Sequence, residues 1–158
     1  MSFIYDGKHL LVDCIVKDPK KLVDADLGNR ILSKIVHDID MTMILPPVTV
    51  KFPHAVCELK RLVDMLEVEG LGESNTAKQV KKDLELREAE SYGYSSFVMI
   101  AESHISIHTF PEISYVSFDC YSCKGFDDLR VMEILEEELG IEKSTVQICK
   151  RRPPKIIG

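Results

Sequence analysis

Alternating polar and apolar residues in the second half of the chain most constrain its fold. Residues 104–108 read His-Ile-Ser-Ile-His, and residues 115–121 read Tyr-Val-Ser-Phe-Asp-Cys-Tyr. This period of two is typical of strands with one buried face. Residues 97–101 form a strongly apolar strand that leads directly into Glu102-Ser103, and Pro111 ends the run that follows. The sequence therefore predicts consecutive strands here, with the runs around 105 and 118 as a hairpin.

The rest of the chain supplies further strands and amphipathic helices. Strands are predicted at residues 9–16 and 144–149, an interrupted strand or two edge segments at 41–45 and 48–52, and helices at 19–38, 55–67, 76–90 and 127–139. Asp18 and Asp127 stand where helix N-caps are expected, and Gly140 stands where a helix ends. This order predicts an α+β fold, a two-layer sandwich with a largely antiparallel sheet and helices packed on one face. At 158 residues, we expect residues 1–158 to form a single domain.

Charge and hydropathy exclude several classes of function. The net charge of -6 disfavours a nucleic-acid partner, because phosphate contacts need a basic face. No apolar run reaches the roughly 20 residues that a membrane span needs, and the N-terminus lacks a signal-peptide pattern. We therefore expect a cytoplasmic protein without a membrane partner, whose five cysteines are mostly buried thiols.

Glu102-Ser103 can support an unusual backbone reaction. A serine hydroxyl can attack the preceding carbonyl if the backbone is strained and a neighbouring group takes the proton. The amide becomes an ester, and β-elimination followed by hydrolysis leaves a pyruvoyl group. Taken alone, however, a Glu-Ser-His sequence more often marks a serine at the end of an ordinary strand.

The longer sequence from Ala101 to Thr109, Ala-Glu-Ser-His-Ile-Ser-Ile-His-Thr, closely resembles the self-cleaving core of the small prokaryotic S-adenosylmethionine decarboxylases. The resemblance implies the same two-layer architecture. It also implies cleavage between Glu102 and Ser103 into fragments 1–102 and 103–158. Ser103 would become the pyruvoyl cofactor, which forms a Schiff base with the substrate amine and replaces pyridoxal phosphate as electron sink. No metal is expected at the site.

The resemblance also assigns roles to individual positions. His108 matches the histidine that takes the Cα proton during processing, and Ser95 matches a serine that assists the ester step. Cys123 matches the cysteine that protonates the α-carbon after carbon dioxide leaves, a task that a tuned thiol can perform. Glu112 matches a glutamate of the motif after the cleavage site, and Phe110 stands where the family usually has tryptophan; both are expected to contact substrate.

Strand geometry conflicts with direct cooperation between Ser103 and His108. In a regular strand, residues five apart lie on opposite faces and about 16 Å apart, at about 3.3 Å per residue. A bend or bulge between them, or an approach of the histidine around an edge, would bring them together. We therefore expect an irregularity near residues 103–106.

The resemblance implies a small amino-acid-type substrate, most simply S-adenosylmethionine on the route to polyamines such as spermidine. Arginine and ornithine stay open as alternative substrates on the same scaffold, because Phe110 replaces tryptophan and Ala89 replaces a phenylalanine that stacks on adenine. Residues 46–91 do not align with the compact relatives, and Phe52 in that segment could supply a ring. The resemblance further implies a homo-oligomer, a dimer of processed chain pairs.

Two readings of another class compete with the enzyme. His104 and His108 followed by Cys120 and Cys123 have nearly zinc-finger spacings. Alternation along extended strands makes simultaneous ligation by these four residues awkward. The second alternative is a binding or regulatory homologue that is not processed.

Overall fold

A computed structural model describes residues 6–51, 54–88 and 92–152 of the chain. The strands are β1 (Gly7–Val16), β2 (Val48–Lys51), β3 (Tyr94–Ile100), β4 (Ser103–Phe110), β5 (Tyr115–Ser122) and β6 (Ile141–Arg151). The helices are α1 (Ala25–Asp38), α2 (His54–Val68), α3 (Asn75–Glu88) and α4 (Asp128–Leu139). No helix in the described part of the chain is long and apolar enough to cross a membrane.

The six strands form one sheet in the order β2-β3-β4-β5-β1-β6. Every neighbouring pair is antiparallel. Short loops or turns join β3 to β4 and β4 to β5, as the alternating sequence predicts. The sheet, together with the helices, confirms the predicted α+β class.

One face of the sheet carries the hydrophobic core. Its strand residues alternate along the chain, and α1 and α4 pack against them. The core includes Leu10, Val12, Val98, Ile105, Ile107, Val116, Phe118 and Cys120 from the strands. Ile31, Ile35, Ile134 and Leu135 are among the helical residues of the same cluster.

The opposite face of the sheet, called the second face below, carries mostly polar and aromatic side chains. Strand register places them in rows across the sheet. One row contains Met99, His104, Tyr121 and His9; the next contains Phe97, Ser106, Asp119 and Leu11; the third contains Ser95, His108, Ser117 and Asp13. These side chains are half-buried or exposed.

Two predicted elements differ from those observed. The predicted helix over 19–38 is divided, because a 3-10 turn at Pro19–Val23 precedes α1 and the carboxylate of Asp24 caps the new start by accepting from the Leu27 N–H. The predicted strand at 41–45 is reduced to an isolated bridge between Met43 and Ile100. Its backbone groups bond instead to the turn between β3 and β4, as described below.

Contacts divide the chain into two compact units, residues 1–51 with 93–158 and residues 52–92. The first unit contains the sheet with α1 and α4. The second contains α2 and α3, a helical hairpin in which Ala77 is buried and Lys81 pairs with Glu67 at 3.0 Å. The organisation of residues 1–158 as one domain stays a prediction.

Candidate active site

The predicted cleavage site lies in a tight hairpin turn. Ile100 at the end of β3 pairs with Ser103 at the start of β4, so Ala101 and Glu102 alone form the turn. Ser103 has a φ of 148°, a region that residues with a Cβ seldom adopt. The candidate cleavage bond therefore precedes the residue whose backbone is most strained in this hairpin.

Two neighbouring segments hold the turn. The Cys123 N–H donates to the Glu102 carbonyl oxygen at 2.9 Å. From the other side, the Thr42 N–H donates to the Glu102 carboxylate at 3.1 Å, and the Ala101 N–H donates to the Thr42 carbonyl at 2.8 Å. The carbonyl that Ser103 would attack is thus fixed and polarised by a backbone donor, as in an oxyanion hole.

Ser95 and His108 form a hydrogen-bonded pair on the second face. The two residues are directly opposite each other in β3 and β4. Ser95 Oγ and His108 Nδ1 are 2.6 Å apart, and both side chains are half-buried. A serine hydroxyl on an imidazole nitrogen is an arrangement that can move a proton.

The structure does not bring this pair to Ser103 of the same chain. β4 pairs with β3 and β5 in unbroken register from Ser103 onward, so the bulge predicted at 103–106 is wrong. The departure from regular geometry is confined to the φ of Ser103 itself. His108 lies on the second face, five residues from Ser103, which corresponds to about 16 Å along a regular strand.

The cysteines fall into two environments. Cys123 follows the end of β5 and is exposed. Cys120 lies in the core, where burial raises the pKa of its thiol to about 12; burial likewise raises the pKa of Cys14 to about 11. Of these three thiols, Cys123 is the one that a substrate can reach.

The four candidate zinc ligands are not gathered into one site. His104 and His108 lie on the second face in different rows, Cys120 is buried on the core face, and Cys123 lies beyond the end of β5. Within residues 6–51, 54–88 and 92–152, no group of three or more His, Cys, Asp or Glu side chains is placed to hold a metal ion.

Phe110 and Glu112 lie at the opposite end of β4 from Ser103. The Phe110 ring stacks on Tyr115, with 5.2 Å between centroids, and is 38% exposed. Glu112 is exposed in the 3-10 turn Pro111–Ile113. Both residues therefore lie near the end of β4 that carries His108, remote from the Ser103 of their own chain.

Sequence reasoning missed a polar cluster beside the hairpin. His9, interpreted from sequence as a surface or satisfied core residue, has its Nε2 at 3.0 Å from Asp119 Oδ1. Its ring also contacts Tyr121, which in turn contacts His104 and lies under the Arg151 guanidinium. Period-two alternation on three strands was the available signal, but only the strand order places these residues together. The sequence gives no indication of the role of Thr42, because its backbone groups, and not its side chain, contact the turn.

Comparisons with known proteins show what the chain is similar to. The family model described as S-adenosylmethionine decarboxylase matches residues 57–152. A Geobacillus sp. (strain WCH70) S-adenosylmethionine decarboxylase proenzyme is 30% identical over 104 residues, covering 62% of this chain and 82% of the relative. An Aeropyrum pernix arginine decarboxylase proenzyme is 38% identical over 69 residues, covering 43% and 52%.

The fold is also found among solved structures. The adenosylmethionine decarboxylase from Aquifex aeolicus superposes with a TM-score of 0.63 at 20% sequence identity. The superposition covers 98% of this chain and 97% of that one. The likeness thus extends over nearly the whole length of both chains.

Proposed function

The chain belongs to the S-adenosylmethionine decarboxylase family, and from that premise we propose that it is a proenzyme that cuts itself at Glu102–Ser103. It is a carboxy-lyase of the pyruvoyl-dependent type. The observation that carries the self-cleavage is the hairpin itself. Ser103 has a positive φ directly after a carbonyl that accepts a hydrogen bond from Cys123.

Cleavage proceeds through atoms of the chain alone, with water. Ser103 Oγ attacks the Glu102 carbonyl carbon, and the developing oxyanion is stabilised by the Cys123 N–H. The Ser103 nitrogen takes up the hydroxyl proton as the C–N bond breaks, which leaves an ester and a free α-amine on Ser103. Removal of the Ser103 Cα proton expels the main-chain carboxylate of Glu102 as the new C-terminus, and the resulting dehydroalanine takes up water and releases ammonia. The fragments are 1–102 and 103–158, the second beginning with a pyruvoyl group.

The residues around Ser103 fit such a group. Ser103 is half-buried, and its preceding carbonyl is held in place. A pyruvoyl carbonyl supplies the electron sink for loss of carbon dioxide from an amino acid. We assign Cys123 to deliver a proton to the carbon that loses carbon dioxide, because its thiol is exposed next to the turn. Ser95 and His108 act on the ester and on the Cα proton.

These roles require two copies of the chain. Ser103 and the Ser95–His108 pair are separated by about 16 Å along a regular strand and lie on opposite faces of it. We propose a homo-oligomer in which the second face of one copy meets the turn of another. Phe110 and Glu112 would then reach the substrate from the copy that supplies His108.

S-adenosylmethionine is the proposed substrate, which places the reaction in cytoplasmic synthesis of polyamines such as spermidine. Arginine is the second candidate, favoured by the similarity to the arginine decarboxylase proenzyme. Ornithine is a further candidate of the same kind. Carbon dioxide release should therefore be measured from all three amino acids side by side. Release from arginine or ornithine alone would overturn the substrate assignment and leave the cleavage chemistry standing.

The intact mass of the purified protein tests the central step. We expect two fragments of 102 and 56 residues, the smaller one blocked at its N-terminus by a ketone that reacts with hydrazides. Ser103→Ala should stay whole, and Ser106→Ala, on the same strand, should still be cut. A wild-type chain that stays in one piece would refute the proposal.

A further inference from the structure

Residues 40–44, called the clamp segment, run along one side of the cleavage turn. Asp40, two residues beyond the last residue of α1, has a φ of 54°. Beyond it, Thr42 contacts both turn residues, as described above, and the Ile44 N–H donates to the Met99 carbonyl at 3.0 Å. The clamp segment therefore determines where the Glu102 side chain and the turn backbone lie.

Lys124 joins the clamp segment to the other side of the turn. Its Nζ donates to the Asp40 carbonyl oxygen at 2.8 Å and lies 3.4 Å from Asp40 Oδ2. Its backbone N–H donates to the buried Ser122 Oγ at 2.9 Å. Cys123, whose N–H donates to the Glu102 carbonyl, lies in the chain between Ser122 and Lys124.

We infer that Lys124 is a positioning residue for self-cleavage. It links Asp40 to the segment that carries Cys123. The Thr42 N–H, which binds the Glu102 side chain, and the Cys123 N–H, which binds the Glu102 carbonyl, are thereby held in fixed positions beside the bond to be cut. The inference rests on the proposed function and adds to it a residue that takes no part in the chemical steps. Lys124 contacts no reacting atom and acts through Asp40 and Cys123.

The size of the effect follows from exposure. Both side chains are accessible to water, so the ion pair itself is weak, and the bond to the Asp40 carbonyl carries most of the restraint. We expect Lys124→Met to slow cleavage about threefold to tenfold. Lys124→Arg keeps a donor and a positive charge and should recover most of the rate.

The test measures cleavage of freshly synthesised full-length chain over time, together with the unfolding midpoint of a Ser103→Ala version of each variant. Lys124→Met should cut more slowly without a change in midpoint, whereas Lys143→Met, on the edge strand β6, should cut at the wild-type rate. Asp40→Asn keeps the backbone carbonyl and suits a positive φ, so it should slow cleavage less than Lys124→Met.

Several outcomes overturn the inference. One is an unchanged rate in Lys124→Met while the wild type cuts normally; a wild type that does not cut refutes the proposed function instead. If Lys124→Met also lowers the midpoint, the double variant with Asp40→Asn decides. Because Asp40→Asn leaves the backbone carbonyl in place, less than additive rate effects support the link through Asp40, whereas a Lys124→Arg rate as low as that of Lys124→Met contradicts it.

Discussion

Ser103 bears the main conformational cost among the single residues of the site. A strained φ of this kind costs about 1–3 kcal/mol, and pairing with Ile100 on one side and Ser122 on the other holds the residue in place. Cutting the peptide bond before Ser103 removes the restraint on its φ. The strain is therefore released in the cleaved product and opposes the reverse reaction.

Thiol reactivity should follow the environments of the cysteines. Thiolate is the reactive form, and the raised pKa values of Cys14 and Cys120, about 11 and about 12, leave little of it at pH 8. Iodoacetamide should label the exposed Cys123 and Cys149 in the folded protein, and the two buried thiols only after unfolding. Peptide mass spectrometry measures this, and rapid labelling of native Cys120 would contradict the described core.

Gly28, the fourth residue of α1, should not tolerate a methyl group. A Cβ there would be 2.3 Å from Cε2 of Tyr94, whose side chain is fully buried. Gly28→Ala should lower the free energy of unfolding by about 1–3 kcal/mol, despite the better helix propensity of alanine. Urea denaturation of the Ser103→Ala protein measures the change.

Two variants serve as controls for Gly28. Ser33→Ala, in the same helix, tests propensity without a clash and should leave stability nearly unchanged. Tyr94→Phe removes a buried hydroxyl that has no hydrogen-bond partner in the described residues, so it should be neutral or stabilising. A stable Gly28→Ala protein would mean that α1 packs on β3 less closely than described.

At the scale of elements, the sequence predicts correctly the helix ends that are determined by contacts between neighbouring residues. The carboxylate of Asp127 accepts from the Arg130 N–H and Gly140 adopts a left-handed φ, so α4 begins and ends where its sequence indicates. Residues 41–45 were predicted to form a strand from their apolar run alone. Their partners, the Ala101 N–H and the Met99 carbonyl, are more than 50 residues away in sequence, and no periodicity reports such a contact.

The link between β1 and α4 should make stability depend on pH. Lys8 donates to Asp128 and holds the pKa of that carboxyl below its usual value. A lowered pKa in the folded state stabilises the protein above the unfolded pKa of about 3.9, and this contribution is lost as pH falls through the folded value. Asp128→Asn should therefore cost at most about 1 kcal/mol at pH 7, because both groups are partly exposed.

Unfolding in urea at pH 7 and near pH 2 measures this dependence in the Ser103→Ala background. The difference between Asp128→Asn and its parent should vanish at the lower pH. In a Lys8→Met background, the same substitution should have little effect at either pH. An equal loss of unfolding free energy at both pH values would mean that the substitution disturbs α4 itself, and would contradict a stabilising ion pair.

At the scale of the whole molecule, the candidate site is incomplete within one chain. A regular strand places Ser103 and His108 on opposite faces, and β4 has a regular register. The bulge predicted near residues 103–106 would have brought the two residues together within a single chain, but β4 does not contain it. Sequence alone had no means of showing which surface a second chain would cover, because contacts between chains leave no separate periodicity.

Mixing two inactive variants tests whether two copies complete each other. Ser103→Ala retains Ser95 and His108 but has no hydroxyl to attack with, and His108→Ala retains Ser103 but lacks its base. Co-expressed with different tags, they can form mixed oligomers in which one Ser103 meets the partner chain's intact histidine. We expect fragments from the His108→Ala chain, and none from the Ser103→Ala chain.

The tags make the result unambiguous because each fragment reports its parent chain. His108→Ala expressed alone sets the background rate, and a chain carrying both substitutions, co-expressed with His108→Ala, controls for mere association. If cleavage required a histidine of the same chain, the mixture would give no more fragments than His108→Ala alone. Complementation would instead mean that the strand carrying Ser103 can stay regular, since the base comes from another molecule and no bend is needed to reach it.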